Sequence, residues 1–144
     1  MNVAGTELTP SQLYQILTLR ADVFVVEQDC PYLDPDGRDL LPDTRHLWVP
    51  GEQGISSYLR VLTEPGHFRI GRVVTARHAR GQGLAARLMT EALEVVGDID
   101  SVLDAQTYAK GFYAKFGYVP EGEEFEEDGI PHITMWRRVV ARTH

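Results

Sequence analysis

The sequence contains little that would place this protein outside the cell or in a membrane. Its 144 residues include a single cysteine, Cys30, so no disulfide can form within the chain. No apolar run approaches the roughly 18 residues that span a bilayer. The N-terminus lacks the basic start and apolar stretch of a signal peptide. We therefore expect a cytoplasmic protein with no membrane partner.

Positive charge is also scarce. The chain has 14 lysines and arginines against 21 acidic residues, which gives a formal net charge of -7. Nucleic-acid binding generally needs the opposite sign, so no nucleic-acid partner is expected. An acidic surface favours cationic amines or basic peptide segments, although the same charge can serve solubility alone. With 43% hydrophobic residues, the chain is long enough for one globular domain, residues 1–144.

The hydrophobic pattern predicts helices and strands in a mixed order. Thr9 and Pro10 are typical of a helix start, and apolar residues at helical spacing extend this helix to residue 24. A loop rich in proline, aspartate and glycine follows over residues 30–45. The other predicted elements are strands at 46–50, 54–63 and 67–75, a helix at 84–96, a strand at 101–105, a helix at 107–116, and strands at 118–120 and 130–140. The first three strands form an antiparallel meander, so the pattern predicts an α/β (α+β) fold.

A glycine-containing loop lies between a predicted strand and a predicted helix, with the sequence Arg80-Gly81-Gln82-Gly83-Leu84-Ala85. Its glycines let backbone N–H groups converge, and the helix N-terminus adds unpaired N–H groups. A diphosphate is the natural ligand, with Arg77 and Arg80 as added charge. An ordinary turn is one alternative. A dinucleotide fingerprint with Asp104 as the ribose-binding acid is another, but too few residues follow Gly83 to complete a doubly wound domain.

A second motif, A-x-x-F-Y-x-x-x-G-Y, follows the next predicted strand over residues 109–118. Together with R-x-x-G-x-A at residues 80–85, it resembles the GCN5-related N-acetyltransferases (GNATs) over residues 68–119. The flanks, which include residues 20–28 and 127–132, are similar to the ElaA-like branch. This resemblance implies the GNAT fold, a mixed and mostly antiparallel central sheet flanked by helices. Acyl-CoA would lie in a cleft between splayed central strands.

The resemblance also implies a reaction and a set of residues. The reaction is transfer of an acetyl or other acyl group from acetyl-CoA to a primary amine of a small molecule, or to an exposed lysine or N-terminus. Tyr113 would lie beside the thioester sulfur and act as the acid for the departing thiolate. The implied donor-binding residues are Val73, Val74, Thr75, Arg80, Gly81, Gln82, Gly83, Leu84, Ala85, Gln106 and Tyr113. The backbone N–H of Val73 or Val74 would face the carbonyl oxygen. Gln106 departs from many relatives, which have asparagine there.

Glu27 and His132 are the candidate general bases. Glu27 ends an apolar stretch where burial would raise its pKa, and a histidine titrates near neutrality. A base that acts through water remains open. The competing interpretations are that Glu27 pairs with an arginine such as Arg20 or Arg60 and that His132 is a half-buried strand residue.

Three further expectations complete the analysis. Cys30 is interpreted as a structural thiol. Aspartates in the 30–45 loop are interpreted as turn formers, so no metal is expected. A homodimer is compatible with this sequence. A non-catalytic acyl-CoA-binding module on the same fold remains the alternative to an enzyme, because fold does not guarantee chemistry.

Overall fold

The computed structural model describes residues 1–139. Its α-helices are α1 (Pro10–Arg20), α2 (Leu84–Val96) and α3 (Lys110–Ala114). A capping box starts α1, since the Thr9 side chain accepts from the Gln12 backbone at 3.1 Å and the Gln12 side chain accepts from the Thr9 backbone at 3.0 Å. Beyond Arg20 the helix continues as a π-helical segment, Ala21–Glu27, so the predicted end at residue 24 is too early.

The strands within residues 1–139 form one eight-stranded sheet in the order β1-β2-β3-β4-β5-β8-β6, with β7 also paired to β8. Their bounds are β1 Asn2–Ala4, β2 Arg45–Gly51, β3 Gly54–Glu64, β4 His67–Thr75, β5 Ser101–Gln106, β6 Val119–Pro120, β7 Phe125–Glu127 and β8 Ile130–Arg137. The mixed, mostly antiparallel sheet is confirmed. Sequence analysis missed β1 and β7 because three residues are too few to show a period. Residue 140 of the last predicted strand lies outside the described residues.

The sheet rules out the dinucleotide-binding alternative. Within residues 1–139, β4 and β5 form the parallel pair, and the other pairs are antiparallel. A doubly wound dinucleotide domain needs a mostly parallel sheet. Asp104, the candidate ribose-binding acid, pairs instead with Arg69 at 3.0 Å and accepts from the Thr134 hydroxyl at 2.7 Å.

Apolar clusters lie on both faces of the sheet. Alternate residues of β3 point to opposite faces, so that Leu59 and Val61 pack toward α2 while Tyr58 packs toward α1. Ile16, Leu19 and other apolar residues of α1 cover the second face together with the start of the π-helical segment. Among the described residues, no helix is both long and apolar enough to cross a membrane. This packing places the π-helical segment, the 28–44 loop and the end of β4 around one opening in the sheet.

Candidate functional site

The opening arises because two central strands diverge. β4 and β5 pair only at Phe68–Ser101 and Arg69–Val102 and then separate. On its other side, β4 shifts register against β3, where Arg60 pairs with Gly71 and Tyr58 with Val74. This shift is a β-bulge, which bends a strand and leaves residues without ladder partners.

The bulge identifies one of the two candidate amides for the carbonyl oxygen. Arg72 adopts a left-handed backbone with φ 53°, which is strained for a residue with a side chain. In the described sheet, Val73 has no register partner on β3 or β5, whereas Val74 pairs with Tyr58. The geometry therefore favours the Val73 amide as the one available to a ligand.

A cavity of about 460 Å³ fills the gap between the diverging strands. Eight of the residues selected from the sequence line it: Glu27, Val73, Val74, Thr75, Arg80, Gln106, Tyr113 and His132. Residues 81–85 of the glycine loop do not line the cavity, although Arg80 connects the two. The sequence did not single out Gln28, whose side-chain oxygen accepts from Gln106 at 3.4 Å inside this cavity.

The glycine loop has the geometry of an anion site. Gly81 and Gly83 have left-handed backbones with φ 79° and 74°, and a Cβ added at either would meet nothing within 4 Å. The glycines therefore serve the backbone conformation and leave the surrounding space open. Gly83 caps α2 without a side-chain hydrogen bond, so the first N–H groups of the helix have no side-chain acceptor. These donors fit a diphosphate.

Tyr113 lies in α3 with its ring packed against Phe112, 5.0 Å between centroids. Burial, followed by the neighbouring Tyr108 and Tyr118, raises the pKa of Tyr113 above its ordinary value. No hydrogen bond joins its hydroxyl to another residue within 1–139, and the side chain lines the cavity. The hydroxyl therefore stays protonated at neutral pH and is available to a ligand.

His132 lies on β8 opposite Gln106 of β5. Its Nδ1 is 2.7 Å from the carbonyl oxygen of Ile130, which can only accept, so Nδ1 carries the proton. In the neutral form of this tautomer, the Nε2 lone pair is free. Phe125 of β7 stacks on the ring at 5.9 Å and an interplanar angle of 23°. The side chain is thus oriented in the cavity with one nitrogen able to accept a proton.

Glu27 also lines the cavity, but its environment differs from the expected one. Arg80 donates to both carboxylate oxygens at 2.7 and 2.6 Å, and the Arg77 Nε is 3.1 Å from one of them. The hydrogen bond from Arg80 is the main cause that lowers the pKa of Glu27. The expected rise of the pKa through burial is wrong, whereas the alternative that Glu27 pairs with an arginine is confirmed, with Arg80 and Arg77 in place of Arg20 and Arg60. Because the helix continues to residue 27, the side chain reaches the turn at 77–80.

Arg20 and Arg60 belong instead to a buried network of arginines and aspartates. Arg20 is fully buried and donates to Asp34 at 2.8 Å and to Asp39 at 2.7 Å. Arg60 donates to Asp36 at 2.9 Å and to Asp39 at 3.0 Å. Burial is the largest single influence on Asp39 and opposes its charge, but the hydrogen bonds and charges of Arg20 and Arg60 together outweigh burial and lower the pKa.

The network fixes the 28–44 loop against α1 and the sheet. Arg72 adds a 3.0 Å ion pair to Asp34, whose carboxylate also accepts from the Tyr32 hydroxyl at 3.0 Å. Sequence analysis interpreted these aspartates as turn formers, which holds for Asp36, a 3.1 Å acceptor for the backbone of Arg38. The missed signal is Arg20 itself, which lies on the apolar stripe of α1. A buried guanidinium requires carboxylate partners.

Cys30 is a buried residue at the base of this loop. Its thiol donates to the backbone oxygen of Asp128 at 3.0 Å, and burial raises its pKa. Both properties oppose formation of the thiolate, which is the reactive form. The contact joins the loop to the turn between β7 and β8, as expected of a structural thiol.

Comparisons with known proteins agree with this architecture. A family model for the acetyltransferase (GNAT) domain matches residues 39–139. A UPF0039 protein of Mycobacterium tuberculosis is 48% identical over 140 residues, which cover 94% of this chain and 90% of that protein.

Two solved structures are similar over nearly the whole chain. An acyl-CoA N-acyltransferase from Pseudomonas aeruginosa superimposes with a TM-score of 0.91 at 42% identity, covering 95% of this chain and 97% of that one. Escherichia coli ElaA superimposes with a TM-score of 0.90 at 40% identity, covering 96% and 97%. The names UPF0039 and ElaA specify no substrate. The chain belongs to the GNAT acetyltransferase family, among its ElaA-like members.

Proposed function

We propose that this protein is an N-acyltransferase that moves an acetyl group from acetyl-CoA to a primary amine. The observation that carries the proposal is the cavity between β4 and β5, since Tyr113, His132 and the ladder-free backbone at Val73 meet there. The acceptor is a small-molecule amine, or an exposed lysine or N-terminus. Glu127 and Asp128 line the same cavity and form no ion pair within residues 1–139, which favours a cationic acceptor.

The donor's diphosphate would bind the N–H groups of residues 81–85 together with Arg80. Its pantetheine arm would follow β4 at Val73–Thr75, with the Gln106 amide on the opposite wall of the cavity. The donor supplies an activated thioester, so the protein needs to position an amine and manage two protons. These are tasks for the residues around the bulge, α3 and β8.

The Val73 N–H is the donor for the thioester oxygen. Negative charge develops on this oxygen when the amine nitrogen bonds to the carbonyl carbon, and a donor fixed by a rigid backbone stabilises that charge without reorganisation. The strained backbone at Arg72 supports this role, because unusual conformations persist where the surroundings enforce them for function.

His132 accepts the proton that the amine loses, directly or through a water molecule. Its protonated Nδ1 is held by the Ile130 carbonyl, so Nε2 is the accepting atom. Glu27 is the weaker candidate because Arg80 and Arg77 hold it as a carboxylate with a lowered pKa. The amine must arrive deprotonated or lose its proton in the cavity, and a histidine is suited to this near neutral pH.

Tyr113 supplies the second proton. When the carbon–sulfur bond breaks, the electron pair stays on sulfur, and the Tyr113 hydroxyl donates its hydrogen to that thiolate. The raised pKa keeps the hydroxyl protonated before the reaction but opposes the transfer, so the proton moves only as negative charge develops on sulfur. His132 then releases its extra proton to solvent, and the Tyr113 phenolate takes up a proton from solvent. The products are an amide and CoA.

A thermal-shift titration followed by a CoA-release assay with a panel of amines tests this proposal. We expect acetyl-CoA and CoA, but not NAD(H), to raise the melting temperature. Tyr113→Phe and His132→Gln should each lower kcat by about a hundredfold or more, while CoA affinity changes little. Tyr118→Phe is the matched control, since that hydroxyl bonds Ser101 at 2.7 Å and does not line the cavity.

Three outcomes would contradict parts of the proposal. No stabilisation by either CoA species would remove the donor assignment. Binding without CoA release across the amine panel would favour an acyl-CoA-binding module. An unchanged kcat in Tyr113→Phe, measured where chemistry limits the rate, would remove Tyr113 from the mechanism.

A further inference from the structure

The arginines beside the glycine loop are already bound to carboxylates of the π-helical segment. Both terminal nitrogens of Arg80 donate to Glu27, at 2.7 and 2.6 Å. Arg77 contacts the same carboxylate at 3.1 Å and donates to Asp22 at 3.1 Å. The loop is thereby tied to the end of the first helix across more than fifty residues of chain.

This contact uses the same geometry that a phosphate would use. A guanidinium presents parallel N–H groups that carboxylates and phosphates both accept in bidentate fashion. Glu27 fills that fork on Arg80. The backbone part of the anion site is different, because the space around Gly81 and Gly83 is open. The Arg80 guanidinium is therefore already bound to an anion of the protein itself, the Glu27 carboxylate.

We propose that Glu27 is an internal competitor for the arginine fork, and that the donor's diphosphate displaces it. This inference rests on the proposed function, since it concerns the same donor site. A carboxylate that stayed on Arg80 beside a diphosphate would face strong like-charge repulsion. The exchange is between two exposed partners, because the side chain of Arg80 is 45% accessible and that of Glu27 is 30% accessible.

Displacement changes what Glu27 can do. The residue lines the cavity together with Gln28 and Gln106, so a carboxylate released from Arg80 remains within the reaction space. Released from Arg80, it can pair with the ammonium group of an acceptor. Glu27 is then a positioning residue that becomes available only after the donor binds, which makes the donor bind first. The position of Glu27 at the end of a π-helical turn fits this role, since such turns are frequent at functional sites.

Calorimetric titration of CoA into the wild type and four variants tests the inference. Glu27→Gln keeps the shape of the side chain and removes the competing charge, so CoA should bind roughly three- to tenfold more tightly. Arg80→Gln should bind CoA more weakly than the wild type. Adding Glu27→Gln to this variant should not tighten CoA binding, because the competition acts through Arg80. Asp22→Asn is the matched control, since within residues 1–139 Asp22 pairs with Arg77 and forms no ion pair with Arg80. Its CoA affinity should change less than about twofold.

The outcomes separate this inference from the donor assignment. If the wild type does not bind CoA, the proposed function fails. If the wild type binds CoA and Glu27→Gln binds it equally or more weakly, the competitor role is wrong and Glu27 orients Arg80 for the phosphate instead. A gain that persists in the Arg80→Gln background would also overturn the inference.

Discussion

Two sets of arginine–carboxylate contacts in this protein share their chemistry and differ in their surroundings. In the buried set, the side chain of Arg20 is fully inaccessible and that of Arg60 is 4% accessible. In the exposed set, the side chains of Arg77 and Arg80 are 51% and 45% accessible. Both sets border the same cavity, the buried one through Arg60 and the exposed one through Glu27 and Arg80.

The difference shows which contacts can change partner. A charge that loses its partner in the interior has no water to replace it, so the buried set has one arrangement. Water and other ions readily replace an exposed partner, so the exposed set can exchange a carboxylate for a phosphate. We infer that the buried set forms a fixed wall of the cavity, while the exposed set responds to the donor.

The largest expected effect comes from breaking the buried set. Arg20→Met keeps the length of the side chain but leaves Asp34 and Asp39 without their shared cation. The free energy of unfolding should fall by about 3–5 kcal/mol, as measured by urea denaturation. Arg20→Lys keeps the charge without the planar fork, so its free energy of unfolding should lie between those of the wild type and Arg20→Met. A loss below about 1 kcal/mol in Arg20→Met would show that the network is not a rigid scaffold.

Acid provides a second, intermediate way to break the buried set. His46 is buried against this set, with its Nε2 2.7 Å from the backbone oxygen of Asp39. Burial lowers the pKa of His46 below 6.5, and contacts with arginines outweigh burial to lower the pKa values of Asp36 and Asp39 below 3.8. Each group has a lower pKa in the folded state, so its contribution is complete above the unfolded value and is lost as the pH falls.

The free energy of unfolding should accordingly decline below pH 6.5 as His46 takes up a proton, and more steeply below about pH 4. The total loss between pH 7 and pH 3 should be on the order of 2 kcal/mol or more, measured by urea denaturation at a series of pH values. Glu27→Gln should differ little from the wild-type curve, because solvent screens the contacts that lower the pKa of this exposed carboxylate. A curve that is flat down to pH 4 would contradict the scaffold interpretation.

Sequence analysis succeeded where the signal was local. The helix start at Thr9-Pro10, the glycine loop and the α3 motif each occupy a few consecutive residues. The helix start was predicted correctly, and the two motifs indicated the fold class and the family. The ion pairs escaped prediction because their partners are distant in sequence, as with Glu27 and Arg80, and many acids could satisfy each arginine. The end of the first helix was misplaced because three β-branched residues, Val23, Val25 and Val26, made the π-helical turn look like a strand.

The assignment of chemistry depends on a different kind of information. Sequence left Val73 and Val74 equivalent as amide donors, and only the shift in register between β3 and β4 separates them. It also left Glu27 and His132 equivalent as bases. Their hydrogen bonds distinguish them, since one side chain is held by two arginines and the other has a free ring nitrogen. The catalytic roles themselves remain predictions for the kinetic tests described above.

The smallest expected effect comes from the exposed set. Arg77→Gln removes one cation from Glu27 and from Asp22, both at the surface, so the melting temperature of the donor-free protein should stay within measurement error of the wild type. CoA affinity should fall by only about threefold, because Arg77 adds charge near the diphosphate without filling the Arg80 fork. A large loss of stability would mean that these contacts also hold the fold, and the contrast between a fixed and an exchangeable set would disappear. An unchanged melting temperature beside the destabilised Arg20→Met would establish that burial, and not the type of ion pair, decides which contacts a ligand can replace.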